Sequence, residues 1–145
     1  MEIEMRTKLF TLDIHGFSGT AVDRDYAGTA FKLMDKMWKI VKSNNLSNKG
    51  LNIWVYEPDE KVFTGVELLQ TPKQETALEH KIITLEKYAY FKHIGPYGLI
   101  KKSGQQMRDV LKSKGLKTIS PYIEIYGHWS NDESKLETEL IMAGE

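Results

Sequence analysis

Aromatic side chains and one carboxylate recur at alternate positions in two short segments of the chain. The first segment reads Leu-Asn-Ile-Trp-Val-Tyr over residues 51–56, and the second reads Pro-Tyr-Ile-Glu-Ile-Tyr over residues 121–126. Successive side chains of a β-strand point to opposite faces, so the aliphatic positions of each segment share one face. The opposite face then carries an aromatic group around a single acid, made of Trp54, Tyr56, Tyr122, Glu124 and Tyr126.

Such a face suits the capture of a small cation that also carries aromatic rings. Flat aromatic side chains supply apolar area, and indole and phenol faces attract cations. Glu124 supplies the opposite charge, and a later strand-like segment, in which Tyr88 and Tyr90 lie two residues apart and share a face, adds Tyr90 to the predicted walls. Tyrosine, threonine and glutamate also occur on exposed sheet faces simply because they suit strands and water, so that alternative stays open.

The residues around these segments predict the same order of elements twice. In the first half we predict a strand over 7–22 with a bulge or a break at Gly16 and Gly19, a helix over 26–43, and a hairpin of strands 51–56 and 62–69. In the second half we predict one long strand over 81–93, a helix over 97–114, and a hairpin of strands 120–129 and 135–142. The helices follow from apolar residues at helical spacing, and the strands from alternation bounded by turn formers.

This duplication predicts the fold class. We expect an α+β fold of two β-α-β-β units related by a pseudo-two-fold axis, with helices on one face of antiparallel sheets and the ligand cleft on the other. Placing Tyr56 on Tyr126 puts Trp54 on Glu124, and a second turn two residues longer pairs Glu67 with Glu139. The length fits a single domain over 1–145, with halves at about 1–70 and 80–145 and a linker at about 71–79.

Composition excludes several classes of function. The 145 residues include 20 basic and 20 acidic side chains, so no basic surplus is present for direct binding of nucleic acid. The chain has no cysteine, and its 4 histidines lack the spacing of a metal motif, so we predict no metal and no cofactor. Without a secretory signal or an apolar run long enough to span a membrane, we expect a soluble cytoplasmic protein without a membrane partner.

Three segments resemble the GyrI-like domains, which also form the effector-binding part of many AraC-type and MerR-type regulators. Residues 88–97 resemble the strand-to-helix segment of that family, and residues 121–126 resemble its strand with a ligand-facing glutamate. Asn131-Asp132 and residues 137–139 resemble its final hairpin. With the duplicated order of elements, the resemblance extends over nearly the whole chain.

The resemblance implies binding of diverse hydrophobic, often cationic molecules in a cleft between the halves, with Glu124 at its base. Regulators of the family carry a DNA-binding helix-turn-helix before this domain, whereas here the first predicted strand begins close to Met1. We therefore expect the stand-alone form, which senses or sequesters drugs and other foreign compounds and can act with a separate regulator.

Two other functions fit the same residues. Some GyrI-like proteins are thought to hydrolyse reactive electrophiles, and Glu124 beside the Tyr126 hydroxyl would suit activation of water. The family has also been linked to inhibition of gyrase, which implies a protein-interaction module with an exposed apolar patch away from the cleft. The residues alone do not separate these functions from simple binding, which we favour over catalysis.

Overall fold

A computed structural model describes all 145 residues and confirms the α+β class. The helices are α1, Tyr26–Ser43, and α2, Ile100–Ser113. The strands are β1 Glu4–Arg6, β2 Phe10–Thr20, β3 Ile53–Glu57, β4 Lys61–Val66, β5 Glu79–Leu85, β6 Tyr88–Ile94, β7 Thr118–Tyr126 and β8 Glu137–Gly144. Neither helix combines the length and the apolar character needed to cross a membrane.

All strands belong to one antiparallel sheet with the order β1-β6-β8-β7-β3-β4-β2-β5. The centre of the sheet is the pair β3 and β7, in which Trp54 faces Glu124 and Ile53 faces Ile125. Outward from this pair, each half continues with its hairpin partner and then with the strand that precedes its helix. The predicted pseudo-two-fold axis therefore passes between Trp54 and Glu124, the two residues that the repeat made equivalent.

The sheet curls strongly, so that its two ends enclose an apolar core on the concave face. The rings of Phe10 on β2 and Tyr88 on β6 lie 5.2 Å apart between centroids, although these strands are distant in the sheet order. The central residues Ile53, Val55 and Ile123 face this core and are fully buried. Curling thus buries one face of the central strands without a helix covering it.

Both helices pack on the convex face, one on each flank of the sheet. Met37 and Val41 of α1 contact Val66 of β4, while Met107 and Leu111 of α2 pack in one cluster with strand residues of the second half. Trp54 packs in one cluster with Ala30 of α1, and Tyr122 packs against the α2 cluster. The aromatic group therefore lies on the same face as the helices, and its predicted position on a helix-free face is wrong.

Two predicted strands differ from those observed. The segment 81–93 is not one strand but two, β5 and β6, which lie in different parts of the sheet order. Strand β2 runs without a break through its glycines, because Gly16 lies directly opposite Gly65 of β4. A Cβ at Gly16 would overlap the backbone of Thr64, so this glycine permits close approach of two strands rather than a bulge.

The second hairpin turn is longer than the repeat predicted. Five residues separate Tyr56 from its cross-strand partner Val62, whereas eleven separate Tyr126 from its partner Thr138. The second turn is therefore six residues longer, not two, and the predicted equivalence of Glu67 and Glu139 is wrong. The additional length carries Trp129, which is 75% exposed.

Candidate ligand-binding site

A cavity of about 1130 Å³ lies over the centre of the sheet, between the two helices. It exists because α1 and α2 cover the flanks and leave β3 and β7 uncovered between them. Its walls come from both helices, from β3 and β7, and from the long turn after β7. This volume lies just above the range of about 300–1,000 Å³ that is usual for ligand pockets, so the cavity has room for a drug-sized molecule.

Glu124 forms the floor of the cavity and is only 6% exposed. Its Oε1 accepts hydrogen bonds from the hydroxyls of Tyr56 at 3.0 Å and Tyr126 at 2.7 Å. Its Oε2 accepts a hydrogen bond from the hydroxyl of Tyr122 at 2.7 Å. No basic side chain forms an ion pair with Glu124. The floor is therefore a hydrogen-bonded carboxylate without a cationic partner.

The three phenols remain hydrogen-bond donors throughout the physiological pH range. Burial, and then the neighbouring charge of Glu124, raises the pKa of Tyr56, Tyr122 and Tyr126 above the ordinary value of 10.0. A hydrogen bond to a charged group contributes about 1.5–3 kcal/mol, and three of them offset part of the cost of burying one carboxylate. The arrangement stabilises a negative charge at the base of an aromatic cavity.

Aromatic rings surround this carboxylate in contact with one another. Trp54 meets Tyr126 edge to face at 5.0 Å between centroids, and Tyr56 stacks on Tyr122 at 5.5 Å. Phe31 of α1 meets the other side of Trp54 at 5.1 Å. These contacts fix the ring orientations, and the Trp54 Nε1 is buried without a hydrogen-bond partner. The cavity therefore presents rigid ring faces and edges to a ligand.

The mouth of the cavity mixes exposed apolar and charged side chains. Phe31, Ile119 and Trp129 line it and are each about half exposed or more. The guanidinium of Arg108 lies 5.1 Å from the centroid of the Tyr122 ring, at the side of the cavity formed by α2. A guanidinium therefore lies beside Tyr122 at one side of the cavity, while the carboxylate of Glu124 lies at its floor.

Five of the six residues predicted for the site line this cavity: Trp54, Tyr56, Tyr122, Glu124 and Tyr126. Tyr90 does not, because it faces Ile141 across the β6–β8 pair and lies in the concave core, where the guanidinium of Arg6 covers its ring at 3.7 Å. Burial, and then a hydrogen bond to Glu139, raises the pKa of Tyr90. Tyr90 is therefore not part of the site that we propose.

The helical side of the cavity was not predicted from the sequence. Its main contributors are Tyr26, Phe31 and Met34 of α1 and Ile100, Gly104 and Arg108 of α2. The apolar stripe on α1 could have indicated this wall of the cavity. Phe31 and Met34 make the stripe wider than packing against the sheet alone requires. Trp38 of α1 packs against the cluster that contains Met37 and Val41, and it donates its Nε1 hydrogen to Asn52 Oδ1 at 2.7 Å.

Gly104 offers a test of the wall formed by α2. A Cβ at this position would lie 3.5 Å from the Tyr122 hydroxyl oxygen and 3.7 Å from Arg108 Nη1, which are ordinary contact distances. We expect Gly104→Ala to raise the free energy of unfolding by about 0.5–1 kcal/mol, because alanine favours a helix interior over glycine. Urea unfolding measures this change. A loss of stability would show that α2 lies too close to Tyr122 and Arg108 to accept the added methyl group.

Residues 25–143 match the GyrI-like small molecule binding domain, and the chain belongs to that family. No curated protein sequence matches the chain. The matched residues include both helices and the central strands β3 and β7.

Among solved structures, the chain is similar to the EcmrR C-terminal domain, with 15% identity, a TM-score of 0.75, and coverage of 100% of this chain and 99% of that one. It is also similar to SAV2435 bound to tetraphenylphosphonium, with 19% identity, a TM-score of 0.68, and coverage of 100% and 94%. A hydrolase from Listeria innocua has 14% identity, a TM-score of 0.57, and coverage of 99% and 92%. At these identities the similarity establishes a shared fold.

Proposed function

We propose that this protein binds small amphipathic molecules in which a positive charge lies next to aromatic rings. The observation that carries the proposal is Glu124, a buried carboxylate held by three phenols and lacking any basic partner. A cation that enters the cavity supplies the missing partner, and its rings find the faces of Trp54 and the surrounding tyrosines. Sensing or sequestration of such compounds is the corresponding biological role.

The energies of these contacts are sufficient for useful affinity. A desolvated cation–π contact contributes about 2 kcal/mol, and a micromolar dissociation constant needs about 8.2 kcal/mol. Two or three such ring contacts, the attraction of Glu124 and the burial of apolar rings together supply enough free energy for micromolar affinity after the cost of association is subtracted. The tetraphenylphosphonium held by SAV2435, a structure of the same fold, supports this ligand class.

The direct test is calorimetric titration with two ions of matched shape and opposite charge. Tetraphenylphosphonium and tetraphenylborate carry the same four phenyl rings around a positive or a negative centre. We expect saturable binding of the cation with a dissociation constant of about 1–100 μM, and binding of the anion weaker by about tenfold or more. Equal affinity for both ions would contradict a cation-selective floor, and binding of neither would remove the proposed function.

Hydrolysis of an electrophile is the less favoured use of the same cavity. Both oxygens of Glu124 already accept hydrogen bonds from phenols, which leaves little basic capacity for activating water. His93 cannot serve in its place, because it does not line the cavity and its two ring nitrogens lie 2.7 Å from Ser103 Oγ and 3.1 Å from the Pro96 carbonyl oxygen. Turnover of an electrophile that is lost in Glu124→Gln would nevertheless establish catalysis.

A further inference from the structure

A second group of polar side chains lies on the convex face of the sheet, away from the cavity. His15 of β2 faces His80 of β5 directly in the strand register. Asp13 lies two residues before His15 on the same strand, so its side chain points to the same face. Register and alternation therefore bring together three side chains that are far apart in sequence, with 67 residues between the positions of Asp13 and His80.

The three side chains are in contact. Nε2 of His80 lies 2.6 Å from Oδ1 of Asp13, and the imidazole rings of His15 and His80 stack with centroids 4.3 Å apart. One potential ligand atom from each residue lies within 4.8 Å of the other two. The Nδ1 of His15 is buried and has no hydrogen-bond partner in the protein, which is a costly state for a polar atom.

We propose that Asp13, His15 and His80 form a binding site for a divalent transition-metal ion, with Zn²⁺ as its physiological occupant. Two imidazoles and one carboxylate are a ligand set that zinc accepts, with bond lengths of about 2.0–2.2 Å. Only three protein ligands are present, so water completes the coordination. None of the three residues lines the ligand cavity, and this site is independent of the proposed small-molecule binding.

Modest side-chain movement completes the geometry. Ligand atoms around a tetrahedral ion with bonds of about 2.0 Å lie about 3.3 Å apart, so separations that now reach up to 4.8 Å must shorten and the 2.6 Å contact must lengthen. The side chains of His80 and Asp13 are 48% and 61% exposed, which leaves both free to change rotamer. The stacked imidazoles must also turn so that their nitrogen lone pairs converge, and exposed His80 can make that turn. The bound ion would then tie edge strand β5 to β2.

Calorimetric titration of the untagged full chain with Zn²⁺ tests the site. We expect one ion per chain with a dissociation constant in the micromolar range, about tenfold or more weaker in both His80→Ala and Asp13→Asn. Both replaced side chains are substantially exposed, so the variants should fold, and circular dichroism checks this. The matched control is His128→Ala, which removes an exposed histidine elsewhere and should leave zinc affinity unchanged.

A second readout separates coordination from loose surface association. Co²⁺ bound by imidazole and carboxylate shows visible absorption that depends on its ligands, so His80→Ala should lose or shift that spectrum. Zinc affinity that is the same in the wild type, His80→Ala and Asp13→Asn would overturn the proposal, as would the absence of any saturable binding. Tetraphenylphosphonium affinity should be the same in His80→Ala and the wild type, so failure of one proposal is distinguishable from failure of the other.

Discussion

Glu124→Gln is expected to weaken tetraphenylphosphonium binding by about tenfold or more while leaving tetraphenylborate binding unchanged or stronger. Two unit charges 4 Å apart attract by about 4 kcal/mol at an effective dielectric constant of 20, and desolvation of the cation returns part of that energy. A net loss of about 1.4 kcal/mol or more corresponds to the tenfold change. For the anion the electrostatic change has the opposite sign, because the substitution removes a repulsive charge from the cavity floor.

Glutamine is a sound replacement because the hydrogen-bond network tolerates it. Tyr56 and Tyr126 both donate to Oε1 of Glu124, and an amide oxygen in that place accepts both hydrogen bonds. Tyr122 donates to Oε2, and an amide nitrogen there donates to the Tyr122 oxygen after the phenol hydrogen turns away. The variant therefore changes the charge and keeps the shape, and its melting temperature should stay near that of the wild type.

Calorimetry with both ions on the wild type and the variant checks this prediction. Glu67→Gln is the matched control, since Glu67 lies outside the cavity in an ion pair with Lys49 at 3.0 Å. This control removes the same charge from the chain and should leave the affinity for both ions unchanged. If Glu124→Gln weakens both ions equally, Glu124 contributes through packing, and its role as counter-charge is wrong.

The composition of the cavity floor could be predicted because alternation is a local property of a strand. Ile53 and Val55 share one face of β3, and Trp54 and Tyr56 share the other, whatever the rest of the chain does. Which face of the sheet the helices cover is not a local property of one strand. Aliphatic residues on one face suggested a helix above them, whereas curling of the sheet buries that face instead.

Contacts between distant strands account for the other differences. Alternation within β6 does not show whether Tyr90 lies on the same face of the sheet as Glu124. That relation depends on the register between strands, which sets Tyr90 opposite Ile141. The same reason conceals the pair of His15 and His80, which the sequence shows as two scattered histidines. By contrast, α1 has the predicted bounds, because helical periodicity and the Asp25 cap are both local signals.

Alkaline pH is expected to unfold this protein steeply, because buried tyrosines, among them the three that donate to Glu124, resist ionisation in the folded state. The pKa of Tyr56, Tyr122 and Tyr126 is raised above 10.0 by burial and by Glu124. Below pH 10 both the folded and the unfolded chain keep these protons, so the stabilising contribution is complete. As pH rises above 10, the unfolded chain loses protons that the folded chain retains, and the free energy of unfolding falls.

The magnitude follows from the number of protons involved. Each tyrosine that ionises only in the unfolded state lowers the free energy of unfolding by about 1.4 kcal/mol per pH unit. The three tyrosines that donate to Glu124 together lower it by about 4 kcal/mol per pH unit. Because domains of this kind are stable by about 5–15 kcal/mol, about one to four pH units above 10 are enough to unfold the chain. Urea unfolding at a series of pH values between about 9 and about 11 measures this slope.

Tyr122→Phe isolates the contribution of one phenol, and its slope above pH 10 should be shallower by about 1.4 kcal/mol per pH unit. The matched control is Tyr97→Phe, because the Tyr97 ring contacts Tyr126 at 5.6 Å but its hydroxyl makes no hydrogen bond to Glu124 and its side chain is 40% exposed. This control should keep the wild-type slope. Phenolate absorbance provides the decisive measurement. If all tyrosines ionised near pH 10 while the chain remained folded, water would reach the carboxylate of Glu124, and the three hydrogen bonds to it would not persist.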